Sequence, residues 1–150
     1  MTVRDLISSI ENQQKNFDLL LNTLVLKKEA IVADNYNLLE DAIRTEQKVL
    51  IVIDEEEKRR KGLIEEFAKE NSVSLKSFTF DELLGAAHSL FEKEKKYLDK
   101  VRAELKEKAL RIAHVNSQLS VLIEVSRNII KERMISLLGN GKRKLVNKRV

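Results

Sequence analysis

A chain of 150 residues with no proline, tryptophan or cysteine and only four glycines lacks the turn residues that sheet architectures need in quantity. Long helices with few connections are expected instead, and the missing cysteines exclude disulfides, thiol nucleophiles and zinc–thiolate sites. Lys and Arg number 28 against 24 Asp and Glu, but five basic residues (Lys142, Arg143, Lys144, Lys148 and Arg149) crowd the last nine positions, where no acid occurs. The body is therefore close to neutral, and the pI near 9.2 describes a tail.

In chain order, apolar residues first recur every seven positions at Val3, Ile10, Phe17, Leu24, Ile31 and Leu38. Leu6, Ile7, Leu20 and Leu21 fill the intervening step, which predicts an amphipathic helix over about 3–33. Asp34-Asn35 interrupts the stripe, and either side chain can cap a following helix. That second helix is expected over about 36–70, through Leu39, Ala42, Ile43, Val49, Leu50, Ile53, Leu63, Ile64 and Phe67. Residues 71–77 lose the period and read as a loop. Thr79-Phe80-Asp81-Glu82 then fits a capping box, with Phe78 and Leu83 placed for a hydrophobic staple. From there Leu84, Phe91, Leu98, Leu105, Ile112 and Leu119 repeat at seven-residue intervals. The pattern runs to Leu138, where Gly139-Asn140-Gly141 ends it with residues tolerant of positive φ. Gly85 to Ser89 is the weakest stretch and allows a break near 85–89.

The expected fold is all-α: an antiparallel three-helix coiled-coil bundle over 1–138, with helices at about 3–33, 36–70 and 80–138. Residues 139–150 are expected to form a basic, flexible tail. If the first two helices turn near residue 35, facing residues have numbers summing to about 70. Gln13 and Gln14 then meet Glu56 and Glu57, and folding the third helix back near residue 75 brings Glu94 to the same level. A polar layer is expected there, with Arg60 as its counter-ion. The same reckoning leaves residues from roughly 116 to 138 projecting beyond the hairpin by about 30 Å at about 1.5 Å per residue. That projection carries Leu119, Leu122, Ile123, Ile129, Ile130, Met134, Ile135, Leu137 and Leu138, an apolar stripe that signals a partner surface.

Enzyme chemistry finds little support. His88 and His114 stand 26 residues apart on one expected helix and cannot share a metal or form a dyad. Asp54-Glu55-Glu56-Glu57 meets Lys58-Arg59-Arg60-Lys61 at i,i+4 spacing, the pattern of a solvated helix face rather than a carboxylate metal site. No phosphate-binding glycine loop, nucleophile elbow or Cys/His ligand spacing occurs. No catalytic residue, metal, cofactor or small-molecule substrate is expected. The start, Met1-Thr2-Val3-Arg4-Asp5, has no apolar core of signal-peptide length, and the longest aliphatic run, Val49 to Ile53, is too short to span a bilayer. A soluble cytoplasmic protein is expected. Five tail charges without stacking aromatics or a reading helix make nucleic acid only a third-ranked partner.

Three stretches resemble the flagellar export chaperone family FlgN. Glu56-Glu57-Lys58-Arg59-Arg60 is similar to that family's Glu and Arg placed three apart after a leucine-rich run. Asn116-Ser117-Gln118-Leu119-Ser120-Val121-Leu122-Ile123-Glu124 resembles its Asn-x-x-Asn-x-x-Leu-Leu/Ile segment, and Leu137-Leu138-Gly139-Asn140-Gly141 its glycine-bearing exit from the last helix. Two positions depart: Leu119 stands where the family often has its second Asn, and Leu138 where some members carry a Tyr implicated in docking at the export gate. The resemblance implies a cytoplasmic chaperone of flagellar type III export that binds hook–filament junction (hook-associated) proteins, with the export gate as a further partner. The residues expected to bind the client are Leu119, Leu122, Ile123, Ile129, Ile130, Met134 and Leu137. The alternative reading is a homo-oligomeric coiled-coil adaptor, paired as a homodimer through the 116–138 stripe.

Overall fold

A computed structural model describes residues 3–138. Four α-helices and one short 3₁₀ turn follow in order: α1 Val3–Val32, α2 Tyr36–Glu70, α3 Phe80–Ala86, the 3₁₀ turn His88–Phe91, and α4 Lys95–Leu138. No strand occurs among the described residues. The helix stop at residues 139–141 and the basic tail lie outside the described residues. The chain divides into two compact units, one ending at Ile112 and one beginning at Ala113.

Within the first unit, α1 and α2 form the antiparallel hairpin that their stripes predict. Asn35 is the residue that caps α2, its side chain accepting from the Leu38 N–H at 3.1 Å. Asp34 instead takes positive φ, 53°, which ends α1 and turns the chain. Gln13 donates to the Ile53 carbonyl at 3.3 Å, and Lys27 pairs with Glu46 at 3.2 Å, both close to the expected sum of about 70. Leu20, Leu24, Ala30, Ala42 and Val49 are buried in the half of this hairpin nearer the Asp34 turn.

At the opposite end from the Asp34 turn the core is thicker. Leu6 and Ile10 from α1, Ile64 and Phe67 from α2, Phe80 and Leu83 from α3, and Leu98 and Val101 from α4 form one cluster with Ala87 and Phe91. Phe67 and Phe91 stack at 5.3 Å between ring centroids, within the range favoured by aromatic pairs. α4 runs parallel to α1, because Gln14 bonds Glu104 and Asp18 pairs with Lys108 at 2.9 Å, four residues on in each helix.

The break allowed near 85–89 is real: Ala87 leaves the helical region at φ −129°, ψ 32°, and the chain passes through the 3₁₀ turn before α4 starts. Gly85, His88 and Ser89 are weak helix formers, and the break lets α3 bury Phe80 and Leu83. Its start has half of the expected capping box. Thr79 Oγ1 accepts from the Glu82 N–H at 3.2 Å, but Glu82 reaches the Lys76 N–H, at 3.5 Å, rather than closing back on Thr79. Phe78 stays 43% exposed while Leu83 is fully buried, so the staple is open.

The break also corrects the expected polar layer. Glu104, not Glu94, bonds Gln14, because residues 80–94 are spent on α3, the 3₁₀ turn and a following turn rather than on a straight helix. Arg60 takes its counter-ion from its own helix, Glu57, as Arg59 does from Glu56 at 2.8 Å.

Candidate functional site

The second unit is, in its described part, the C-terminal half of α4. Its backbone stays helical to Leu138 without proline or glycine. At 100° per residue, Leu119, Leu122, Ile123, Ile130, Met134 and Leu137 fall on one face about 120° wide, with Ile129 at its margin. Leu119 is closed to solvent at 2% exposure and Leu122 is half-buried. Ile123 is open at 37%, Ile129, Ile130 and Met134 are open as well, and Leu137 reaches 85%. The seven expected residues therefore share a face but not an environment.

Polar residues interrupt this face in a regular way. Ser126 and Arg133 follow Leu119 at seven-residue steps, which puts Arg133 within the stripe. Ser120, Ile123, Glu124, Arg127, Asn128 and Lys131 line a shallow groove along one flank. Ile123 thus borders both an apolar stripe and a charged flank. Sequence reasoning missed Val121 and Val125, which are exposed on the other side of α4; their i,i+4 spacing was the available signal.

His114 is engaged with Gln118 at 3.2 Å, and His88 belongs to the 3₁₀ turn rather than to the helix of His114. No group of three His, Asp or Glu side chains among the described residues is arranged to hold a metal ion. Tyr97 has its phenol pKa raised from 10.0, first because its hydroxyl donates to the Glu11 carboxylate, then through desolvation and the charges of Glu11 and Glu104. That contact fastens α4 to α1 and touches no reactive group. Among the described residues no helix is long and apolar enough to cross a membrane.

An all-helical chain with a capped antiparallel hairpin and a long final helix carrying exposed apolar residues matches the FlgN protein family over residues 1–146. The chain belongs to the FlgN family. It is thus a flagellar export chaperone, tied to flagellum biogenesis and type III secretion, and its family is one of chaperones rather than enzymes. Its partners are flagellar proteins. No curated protein and no solved structure gives a significant match to the chain. FlgN membership sets the general task.

Proposed function

We propose that this FlgN chaperone works in the cytoplasm and holds an amphipathic C-terminal helix of a hook-associated protein along α4 between residues 116 and 138. Covering the client's apolar face keeps it from assembling or aggregating before export. The observation that carries the reading is the run of exposed Ile123, Ile129, Ile130, Met134 and Leu137 on a regular helix. A helix laid into such a stripe reads anchors at i, i+3, i+4 and i+7. Each Leu or Ile that becomes fully buried contributes about 1.5–3 kcal/mol. Four or five of them offset the roughly 2–5 kcal/mol needed to order a disordered client segment. Leu119, already covered, supports the stripe from its N-terminal end.

Calorimetric titration with a peptide from the C-terminal segment of a hook-associated protein tests this. Ile123→Asp and Ile130→Asp should each abolish binding while far-UV circular dichroism stays unchanged. Loss of helicity in both would show that the stripe belongs to the core, and the proposal would fall.

The alternative is a homo-oligomeric adaptor. Exposed Val121 and Val125 opposite the stripe favour it, since two apolar sides suit a helix that packs among several others. A dimer persisting at nanomolar concentration, with residues 116–138 protected from hydrogen exchange, would decide for the adaptor.

A further inference from the structure

Residues 71–94 join α2 to α4, and α3 with the 3₁₀ turn is the part of that join that enters the core. Phe80, Leu83, Ala87 and Phe91 belong to the cluster shared with α1, α2 and α4, and Phe91 stacks on Phe67. Their packing is interrupted. One cleft of about 420 Å³ and another of about 210 Å³ lie beside α3, and Asp81 and Arg102 line both. Local structure compensates little. α3 has seven residues, well below the roughly 12–15 that an isolated helix needs to hold in water. Gly85 lies inside it, and Ser72, at the entrance to the segment, takes φ 54°, which is unfavourable for a residue with a side chain. Asp81 ties α3 to α4 through Arg102, but Asp81 is exposed, so water and salt screen the pair. The long helices have fastenings of their own. α1 and α2 pair along the hairpin, and Glu11–Tyr97, Gln14–Glu104 and Asp18–Lys108 join α1 directly to α4.

We propose that residues 71–94 are a releasable strap: α3 and the 3₁₀ turn detach and reseat as one unit while α1, α2 and α4 up to Ile112 stay folded. Short elements beside incompletely filled space open at lower free energy than the long helices that frame them. Phe80, Leu83, Ala87 and Phe91 hold the closed form together by burial, so they leave together. The Asp81–Arg102 pair is the latch, and it weakens with salt. Release unstacks Phe91 from Phe67 and uncovers the apolar side of Leu98 that faces Leu84 and Phe91 across the larger cleft. The strap therefore gates the core of the first unit. It does not depend on what α4 binds beyond residue 116.

The natural chain has no cysteine, so single substitutions can report opening by thiol labelling. Ala87→Cys probes the strap and Val49→Cys the hairpin, at positions that are both 4% exposed. Each full-length variant is mixed with an aromatic disulfide reagent in native buffer and across low urea concentrations. Relative to the unfolded chain, the Ala87→Cys thiol should react at least about a hundredfold faster than the Val49→Cys thiol. Its urea dependence should be measurable but shallower than that of global unfolding, because the strap exposes less surface. Adding Asp81→Asn should speed labelling of Ala87→Cys about two- to fivefold and leave Val49→Cys unchanged. Equal rates and equal urea dependence for the two thiols would overturn the proposal, since the segment would then open only with the whole fold. Fast labelling of Ala87→Cys with no urea dependence would also overturn it, because that marks fraying of one turn rather than release of a unit. Should a cysteine variant fail to fold, hydrogen exchange of the unmodified chain decides. The amides of Leu83 and Ala87, bonded to the Thr79 and Leu83 carbonyls, should share one opening free energy below that of Val49. Convergence of all three on the global value would refute the strap.

Discussion

Thr79 and Asn35 each satisfy a backbone donor that a helix start leaves open, and each was readable from residue type alone. Which of Asp34 and Asn35 does the capping was not, because both accept equally well; the turn decides, placing Asp34 at φ 53° and leaving Asn35 extended. Thr79→Ala should lower unfolding free energy by about 1 kcal/mol, read from the urea midpoint, with the change centred on α3. Tyr97 gives a pH-dependent counterpart. Its raised phenol pKa means that the fold holds this proton more tightly than the unfolded chain does. The stabilising contribution is whole below pH 10.0 and is lost as pH rises through the folded value. In a Tyr36→Phe background, Glu11→Gln should lower the tyrosinate transition seen by absorbance toward 10.0. An unchanged transition would show that the Tyr97–Glu11 contact is not made in solution.

At the scale of elements, seven-residue periodicity located α1, α2 and most of α4, because each helix must bury one stripe and the stripe leaves its period in the sequence. The gap between α3 and α4 shows where that logic ends. The period continues through Leu84, Phe91 and Leu98 as though the helix did, yet the backbone breaks at Ala87 and still buries Phe91. Burial can be met by a 3₁₀ turn as well as by a helix, so periodicity could not distinguish them. Gly62 is a separate opportunity: it sits inside α2, and a Cβ there would meet nothing within 4 Å. Gly62→Ala should therefore stabilise the protein by about 0.5–1 kcal/mol, measured by denaturant unfolding. A loss of stability would mean that the α2 backbone departs from helix at that point.

For the whole molecule, the core of the first unit and the exposed stripe of the second should respond oppositely to substitution. Phe91→Ala removes a ring that is 1% exposed and stacked on Phe67, and should cost about 3–5 kcal/mol in thermal or chemical unfolding. Ile130→Asp should leave that transition where it is. Equal destabilisation by both would place Ile130 in the core and remove the client face. By itself the sequence determined the helical class, the ends of α1 and α2, the hairpin pairing and the family likeness, since these follow from local spacing and residue type. The tertiary structure alone decided that Glu104 rather than Glu94 meets Gln14, because the path through α3 sets how far α4 is displaced. It alone separated covered Leu119 from open Leu137, two residues identical in pattern. It also brought Asp81 and Arg102 together, since the distance between residues far apart in sequence depends on how helices pack and not on their spacing along the chain.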